Sequence, residues 1–219
     1  MKKIILALLL TFLLSGCLNY IQDVQLYADG SGSMHIIFWT KMPDNESAKI
    51  LDKIGIFNQD SIRSEFTSKF SSIKNIKVYT DTTDGTTHAI INLSFTNIDS
   101  LNQTKAFANS NFSLKDGAEG QKIFSQFIPP IATGFGINGN AFRVTYKYTF
   151  GGDIITDNAV SKDGRTLIWD YTLDQIGSGK TISVTFRPFK LKETPPWIYA
   201  ISGLVLLIVI IFLLRKKKD

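Results

Sequence analysis

The segment FRVTYKYTF, Phe142–Phe150, carries the clearest strand pattern in the chain. Apolar or aromatic residues occupy every second position in it: Phe142, Val144, Tyr146, Tyr148 and Phe150. Successive side chains of a strand point to opposite faces of a sheet. The alternation therefore predicts a strand with one buried and one exposed face.

Similar patterns occur on both sides of this segment. Downstream, Asp163-Gly164 introduces an apolar run at 165–171, and apolar residues alternate again at 182–186. Upstream, Asp29-Gly30 and Asp84-Gly85 each separate two alternating segments. Because Asp-Gly between alternating apolar runs is typical of a hairpin turn, the sequence predicts two β-hairpins in its first half.

Between the two hairpins the apolar spacing changes from two residues to three or four. Residues 50–54 follow helical spacing, and a second helical stripe extends over 62–73 with Asp60 as its predicted N-cap. A shorter helix is predicted at 101–109. The fold class predicted from this order is α+β, a mainly antiparallel sheet with two or three helices on one face, plus one C-terminal transmembrane helix.

The N-terminus has the layout of an export signal. Lys2 and Lys3 precede an apolar run at 4–14 that is too short to span a membrane comfortably. The following LSGC, at 14–17, resembles the bacterial lipobox, in which the cysteine is joined to diacylglycerol and the chain is cut before it. By this resemblance Cys17 is the lipidated first residue of the mature protein. An uncleaved anchor helix and a buried free thiol are the alternatives.

The C-terminal sequence predicts a membrane-spanning helix. Residues 197–214 are apolar apart from Ser202 and Gly203, and a helix of this length extends over roughly 27 Å, enough for the hydrocarbon core. A buried core helix is the alternative. The residues predicted to anchor the span at the two interfaces are Trp197, Tyr199, Arg215, Lys216, Lys217 and Lys218.

The two termini divide the chain into four predicted parts. These are a signal peptide at 1–16, an extracytoplasmic α+β domain at 17–194, a transmembrane helix at 195–214 and a cytoplasmic basic tail at 215–219. The prediction is a single-pass protein of the cytoplasmic membrane, lipid-anchored at Cys17, with its domain on the outer side.

The charge distribution argues against nucleic acid as a partner. Without the six basic and one acidic residues of the two termini, the 24 basic and 19 acidic residues fall to 18 of each. A neutral domain without a basic stripe is a poor match for a phosphate backbone.

Several of these features together resemble the LppM-like bacterial lipoproteins. They are the lipobox cysteine, a strand followed by DGSGS at 29–33, the segment DGRTLIWDY at 163–171 and a C-terminal helix with a basic tail. The resemblance implies an α+β envelope domain that binds lipid or glycolipid. It brings no catalytic residues with it.

The sequence contains little that predicts catalysis, a metal site or a cofactor. Two histidines and one cysteine, the latter assigned to lipid, leave few metal ligands. The chain has no HExxH, CxxC or G-x-S-x-G motif. We therefore predict a non-catalytic protein without a metal or a cofactor.

The uncharged stretch IPPIATGFGINGNAF, residues 128–142, is unusual for a loop. One interpretation is a loop that covers the apolar face of the sheet. The other is an apolar lip that enters the bilayer or gates a lipid groove, with Ile131, Phe135 and Ile137 as the contact residues.

Two functions remain open from the sequence. The first is binding of a membrane lipid or a lipid-linked glycan between sheet and helices, which requires an apolar cavity. The second is a scaffold or assembly factor for other envelope proteins, which requires an exposed apolar patch and a solid core.

Overall fold

The computed structural model of the chain describes residues 18–41, 55–118, 120–130, 142–189 and 196–215. Contacts divide the chain into two units, Met1–Pro188 and Phe189–Asp219. In the described part of the first unit, the strands form two sheets.

The larger sheet, called the large sheet below, has seven strands within the described residues. In spatial order they are β3-β4-β2-β1-β7-β10-β9. In chain order their bounds are β1 (Leu18–Leu26), β2 (Gly32–Lys41), β3 (Ser71–Asp81), β4 (Thr86–Phe95), β7 (Arg143–Phe150), β9 (Ser161–Asp163) and β10 (Thr166–Thr172).

Both predicted hairpins are confirmed within the large sheet. β1 pairs antiparallel with β2, and β3 pairs antiparallel with β4. Gly30 and Gly85, in the two turns, have φ angles of 85° and 74°, which an L side chain rarely adopts. The strand predicted at Phe142–Phe150 is β7, which lies parallel to β1 in the middle of the sheet.

The smaller sheet, called the small sheet, has four antiparallel strands in the order β5-β6-β11-β8. Their bounds are β5 (Ser113–Asp116), β6 (Lys122–Ile128), β8 (Gly152–Asp157) and β11 (Lys180–Pro188). Rings from the two sheets are in contact. Phe124 lies 4.9 Å from Tyr148, and Phe186 lies 5.0 Å from Phe150, centroid to centroid. The core therefore lies between two sheets, as in a β-sandwich.

The helices of the first unit are short. α1 (Gln59–Phe66) has eight residues and α2 (Leu173–Ile176) has four, and 3₁₀ turns occupy Asp99–Gln103 and Lys105–Phe107. α1 is capped by Asn58 rather than by Asp60. The predicted stripe at 62–73 ends early because β3 begins at Ser71. The helix predicted at 50–54 lies outside the described residues.

The predicted α+β fold class is therefore wrong. The fold is mainly β, with about half of the described residues in strands and few helices. We expected helices to cover the apolar face of the sheet, but the small sheet packs against it. The physical requirement was correct, since an apolar sheet face must be buried, but a second sheet meets it as well as helices do.

The second unit contains α3 (Pro196–Arg215). Among the helices of the described residues, none combines the length and the apolar character that a membrane crossing requires. The predicted transmembrane helix at 195–214, and with it the single-pass arrangement, is not supported.

Candidate functional site

A pocket of about 230 Å³, called the aromatic pocket below, lies where the two sheets and α1 meet. Its wall combines aromatic rings with a few neutral polar groups. The described residues that line it are Tyr20, Gln22, Phe38, Phe66, Ala106, Phe107, Ser110, Gln126, Pro129, Phe142, Val144 and Tyr146.

The strand order explains where the aromatic pocket lies. Tyr20 is near the start of β1, Phe38 near the end of β2, Val144 near the start of β7, and Pro129 just beyond the end of β6. Since β1 is antiparallel to β2 and parallel to β7, these positions meet at one end of the sandwich. The pocket therefore lies at the end of the sandwich where β1 begins. The first residue of β1, Leu18, directly follows Cys17.

A hydrogen-bonded network joins the two sheets beside this pocket. Gln22 Nε2 donates to the Tyr148 hydroxyl at 2.9 Å and to Gln126 Oε1 at 3.4 Å. The Tyr148 hydroxyl donates to Gln126 Oε1 at 2.5 Å, and the Tyr20 hydroxyl donates to Gln22 Oε1 at 2.9 Å. Gln22 and Gln126 are each 1% exposed. Burying an amide without a hydrogen-bond partner costs free energy. These hydrogen bonds therefore hold the side chains of Gln22 and Gln126 in place at the pocket wall.

Tyr146 stands apart from the network. Its ring lies 5.8 Å from that of Tyr20, and it is 7% exposed. No hydrogen bond joins its hydroxyl to another residue of the described ranges. Every fully buried side-chain oxygen or nitrogen in those ranges has a partner, so the Tyr146 hydroxyl faces the pocket.

Burial keeps these tyrosines neutral. It raises the pKa values of Tyr20, Tyr146 and Tyr148 above the usual 10.0, and the nearby Tyr146 raises those of Tyr20 and Tyr148 further. Their hydroxyl groups therefore remain protonated hydrogen-bond donors at physiological pH.

A second cavity, called the helix cleft, adjoins the aromatic pocket and has a volume of about 690 Å³. It shares Phe38, Phe66 and Ala106 with the pocket. Its remaining described lining residues are Gly55, Ile56, Asp60, Ser61, Ile62, Ser64 and Glu65. Small-molecule sites typically enclose ~300–1,000 Å³, so the pocket and the cleft together offer enough room for one.

Local contacts hold α1 as the wall between these cavities. The Asn58 side chain accepts hydrogen bonds from the backbone N–H groups of Asp60 and Ser61, both at 3.0 Å. At the other end of α1, the Phe66 ring packs edge-on against Phe107 at 5.3 Å. Ile62 between them is buried.

Most of the predicted site residues lie outside the described residues. These are Cys17, Ile131, Phe135, Ile137, Lys216, Lys217 and Lys218. Trp197 and Tyr199 lie on α3, where their side chains are exposed, and Arg215 is its last residue. The structure describes the two ends of the segment 128–142. Both ends contribute to the aromatic pocket, because Pro129 and Phe142 line it.

The polar residues of the pocket were not predicted from the sequence. One signal was available: Gln22 and Gln126 occupy core-facing positions of otherwise apolar alternating segments. A buried amide at such a position needs a partner across the core, and it often marks a functional network. The described residues hold no cluster of three or more His, Cys, Asp or Glu side chains that could bind a metal ion.

Comparisons with known proteins give two findings. Residues 1–17 match the family described as "Prokaryotic membrane lipoprotein lipid attachment site". The structure is similar to the NMR structure of the folded domain of Mycobacterium tuberculosis LppM, with 14% sequence identity and a TM-score of 0.47, covering 80% of this chain and 91% of that chain.

No curated protein matches the sequence. The match at residues 1–17 ends at Cys17, where the lipobox was predicted. The chain is a lipoprotein, anchored to a membrane through an attached lipid.

Proposed function

We propose that this chain is a non-catalytic lipoprotein of the bacterial cell envelope, lipidated at Cys17, that binds a lipid or lipid-linked glycan at the outer face of the cytoplasmic membrane. The observation that carries the proposal is the aromatic pocket, a cavity between the two sheets whose described lining residues are uncharged. The apolar part of the ligand occupies this pocket.

The chemistry of the wall favours an acyl chain. Phe38, Phe66, Phe107, Phe142 and Val144 present apolar surface to the cavity. Removing a methylene group from water contributes ~0.8 kcal/mol, so a chain only partly enclosed gains several kcal/mol. The adjoining helix cleft gives the rest of the ligand a route to solvent.

The position of the attachment site supports a ligand that comes from the membrane. Cys17 is three residues from Tyr20 in the pocket wall. Three residues span at most ~11 Å, so the lipid anchor holds this end of the sandwich close to the bilayer. A bilayer lipid therefore has a short path to the pocket.

The apolar segment 128–142 extends the proposal, because its described ends lie in the pocket wall. In our proposal Ile131, Phe135 and Ile137 contact the lipid. Phe135→Asp then lowers the amount of bound lipid without lowering the melting temperature. Ile155→Asp, at an exposed residue of β8 outside the pocket lining, is the matched control. A lower melting temperature for Phe135→Asp alone would instead make 128–142 a covering loop.

A blocking substitution tests the main proposal in the full-length protein in detergent. Ala106 lines both cavities and is exposed, whereas Ala108 is also exposed but lines neither. We expect native mass spectrometry to find bound lipid in the wild type and in Ala108→Trp, and little in Ala106→Trp. Equal amounts in the two variants, or no lipid in the wild type, contradict the proposal.

A second function, a scaffold for other envelope proteins, is favoured by the outer face of the large sheet. Ile21, Ile37 and Ile90 are cross-strand neighbours on that face and are half-buried. Next to them, His88 stacks between Trp39 and Tyr79, with ring centroids 5.8 Å and 4.9 Å apart. Such apolar patches are typical of protein contacts.

A substitution in the apolar patch distinguishes the scaffold function from lipid binding. Ile37→Lys in the patch should abolish crosslinking to envelope proteins in cells if the scaffold function holds, and leave bound lipid unchanged. Ile168→Lys, on the same face of β10 but outside the patch, is the control. Crosslinking that survives Ile37→Lys argues against the scaffold.

A further inference from the structure

The wall of the aromatic pocket contains hydrogen-bond donors. The Tyr146 hydroxyl has no partner within the described ranges and borders the cavity. Gln126 Oε1 already accepts from Tyr148 and Gln22, and no hydrogen bond joins its Nε2 to another described residue. Tyr146 and Gln126 are 7% and 1% exposed, so both are almost removed from water. A hydrogen-bond acceptor on a ligand would pair with these two donors.

The described part of the same wall offers no positive charge. Its described lining contains no Lys, Arg or His, and no Asp or Glu. Among the described residues that line the adjoining helix cleft, the charged ones are Asp60 and Glu65. Glu65 pairs with Lys105 at 3.6 Å, so Asp60 is the described lining carboxylate that repels an anion. Burying a carboxylate or a phosphate there, without a cation, costs far more than burying a neutral polar group.

We propose that the aromatic pocket selects a neutral acyl ester, whose carbonyl oxygen accepts hydrogen bonds from the Tyr146 hydroxyl and the Gln126 amide. This inference rests on the lipid binding proposed above and specifies its chemistry. The acyl chain packs against the rings, while any charged head group stays in solvent. A free fatty acid is rejected because its carboxylate finds no cation.

Two sources can supply such an ester. One is a lipid of the surrounding bilayer. The other is the protein's own anchor, because a lipobox cysteine carries diacylglycerol and Cys17 lies three residues from Tyr20. The short tether gives that ester a high effective concentration at the pocket.

The test compares two probes, monopalmitoylglycerol and palmitate, which share one acyl chain but differ in head group. Each is titrated at pH 8 against full-length wild-type protein, Tyr146→Phe and the control Tyr171→Phe, whose tyrosine lies on β10 outside the pocket lining. The melting temperature of each protein is measured to verify folding.

We expect the wild type and Tyr171→Phe to bind the ester at least about tenfold more tightly than palmitate. Tyr146→Phe should weaken ester binding about tenfold, since one hydrogen bond is lost, and leave palmitate binding unchanged. Equal affinities for the two probes, tighter palmitate binding, or no loss of the ester preference in Tyr146→Phe would each overturn the inference. If palmitate binds and the ester does not, lipid binding stands without the ester preference. If neither probe binds to the wild type or to Cys17→Ser, both proposals fail.

A final arm identifies the source by titrating the ester into Cys17→Ser, which carries no anchor lipid. Tighter binding than in the wild type supports the ester inference with the protein's own diacylglycerol as the resident ligand. Unchanged affinity supports it with a bilayer lipid. Loss of ester binding in Cys17→Ser that melts like the wild type overturns it.

Discussion

Tyr146 and Tyr148 lie two residues apart on β7 and face the same side of the large sheet, but their surroundings differ. The Tyr148 hydroxyl accepts a hydrogen bond from Gln22 and donates one to Gln126, and the residue is 0% exposed. The Tyr146 hydroxyl borders a cavity and has no partner in the described ranges. One residue completes the core, whereas the other is available to a ligand.

The same contrast holds for the two ends of the sandwich. At the closed end, Phe150 packs against Phe124 and Phe186, and all three are buried. At the open end, Phe38 and Phe66 are only half-buried and border the aromatic pocket and the helix cleft. Both ends are rich in aromatic residues, so composition does not explain the difference.

The small sheet decides which end is filled. Opposite Phe150 it supplies the rings of Phe124 and Phe186, whereas at the open end it supplies Gln126, followed by Pro129 just beyond the end of β6. Protein interiors normally pack as densely as organic crystals. A large sheet without equally large partners at one end therefore retains a cavity there.

The largest expected effect comes from truncating matched phenylalanines at the two ends. Phe150→Ala removes a fully packed ring and should lower the free energy of unfolding by about 3–5 kcal/mol. Phe38→Ala borders existing empty space and should cost less than half as much. Urea unfolding of the two variants measures both values. Equal costs would show that the open end is packed as densely as the closed end.

Alkaline pH should destabilise the fold through Tyr20, Tyr146 and Tyr148. Their pKa values are raised in the folded state, so above pH ~10 the unfolded chain loses protons that the folded chain retains. The contribution of these tyrosines to stability is therefore constant below pH ~10 and decreases above it, by up to about 1.4 kcal/mol per pH unit for each tyrosine. Urea unfolding between pH 8 and 11.5 measures this slope. Tyr146→Phe should make it shallower, and an unchanged slope would exclude a contribution from Tyr146.

The sequence predicted the large sheet better than the small one. β1, β2, β4 and β7 alternate cleanly, and the Asp-Gly turns of the two hairpins are local signals. β6 is harder to recognise because Gln126 interrupts its apolar face, and β5 has only four residues. Without the small sheet, helices were the obvious cover, and this led to the wrong fold class.

The pocket could not have been predicted from residue types alone. Gln22 and Gln126 are 104 residues apart, and only the packing of the two sheets brings them together. Local spacing contains no information on which end of a sandwich is filled. By contrast, the lipid attachment site is a contiguous motif, and the match at residues 1–17 confirms that prediction.

Removing single hydroxyl groups sharpens the comparison between the two tyrosines. Tyr148→Phe leaves Gln22 Nε2 and Gln126 Oε1 short of a partner in the core, which should cost about 1–3 kcal/mol of unfolding free energy. Tyr146→Phe removes a hydroxyl that makes no hydrogen bond to the described residues and should leave stability near neutral pH unchanged. Thermal and urea unfolding at pH 7 measure both. A loss in Tyr146→Phe as large as that in Tyr148→Phe would mean that Tyr146 is also a structural residue.

The smallest expected effect tests whether α1 contributes to lipid binding at the open end of the sandwich. Asn58→Ala removes the cap of α1 and should cost about 1 kcal/mol, whereas Asn58→Asp retains the acceptor oxygen and should cost little. Because α1 lines both cavities, a frayed first turn should also weaken lipid binding, although Asn58 itself lines neither. Urea unfolding and lipid titration of both variants measure this coupling. Reduced stability with unchanged lipid affinity in Asn58→Ala would mean that the ligand does not use the wall that α1 provides, and would confine it to the space between the sheets.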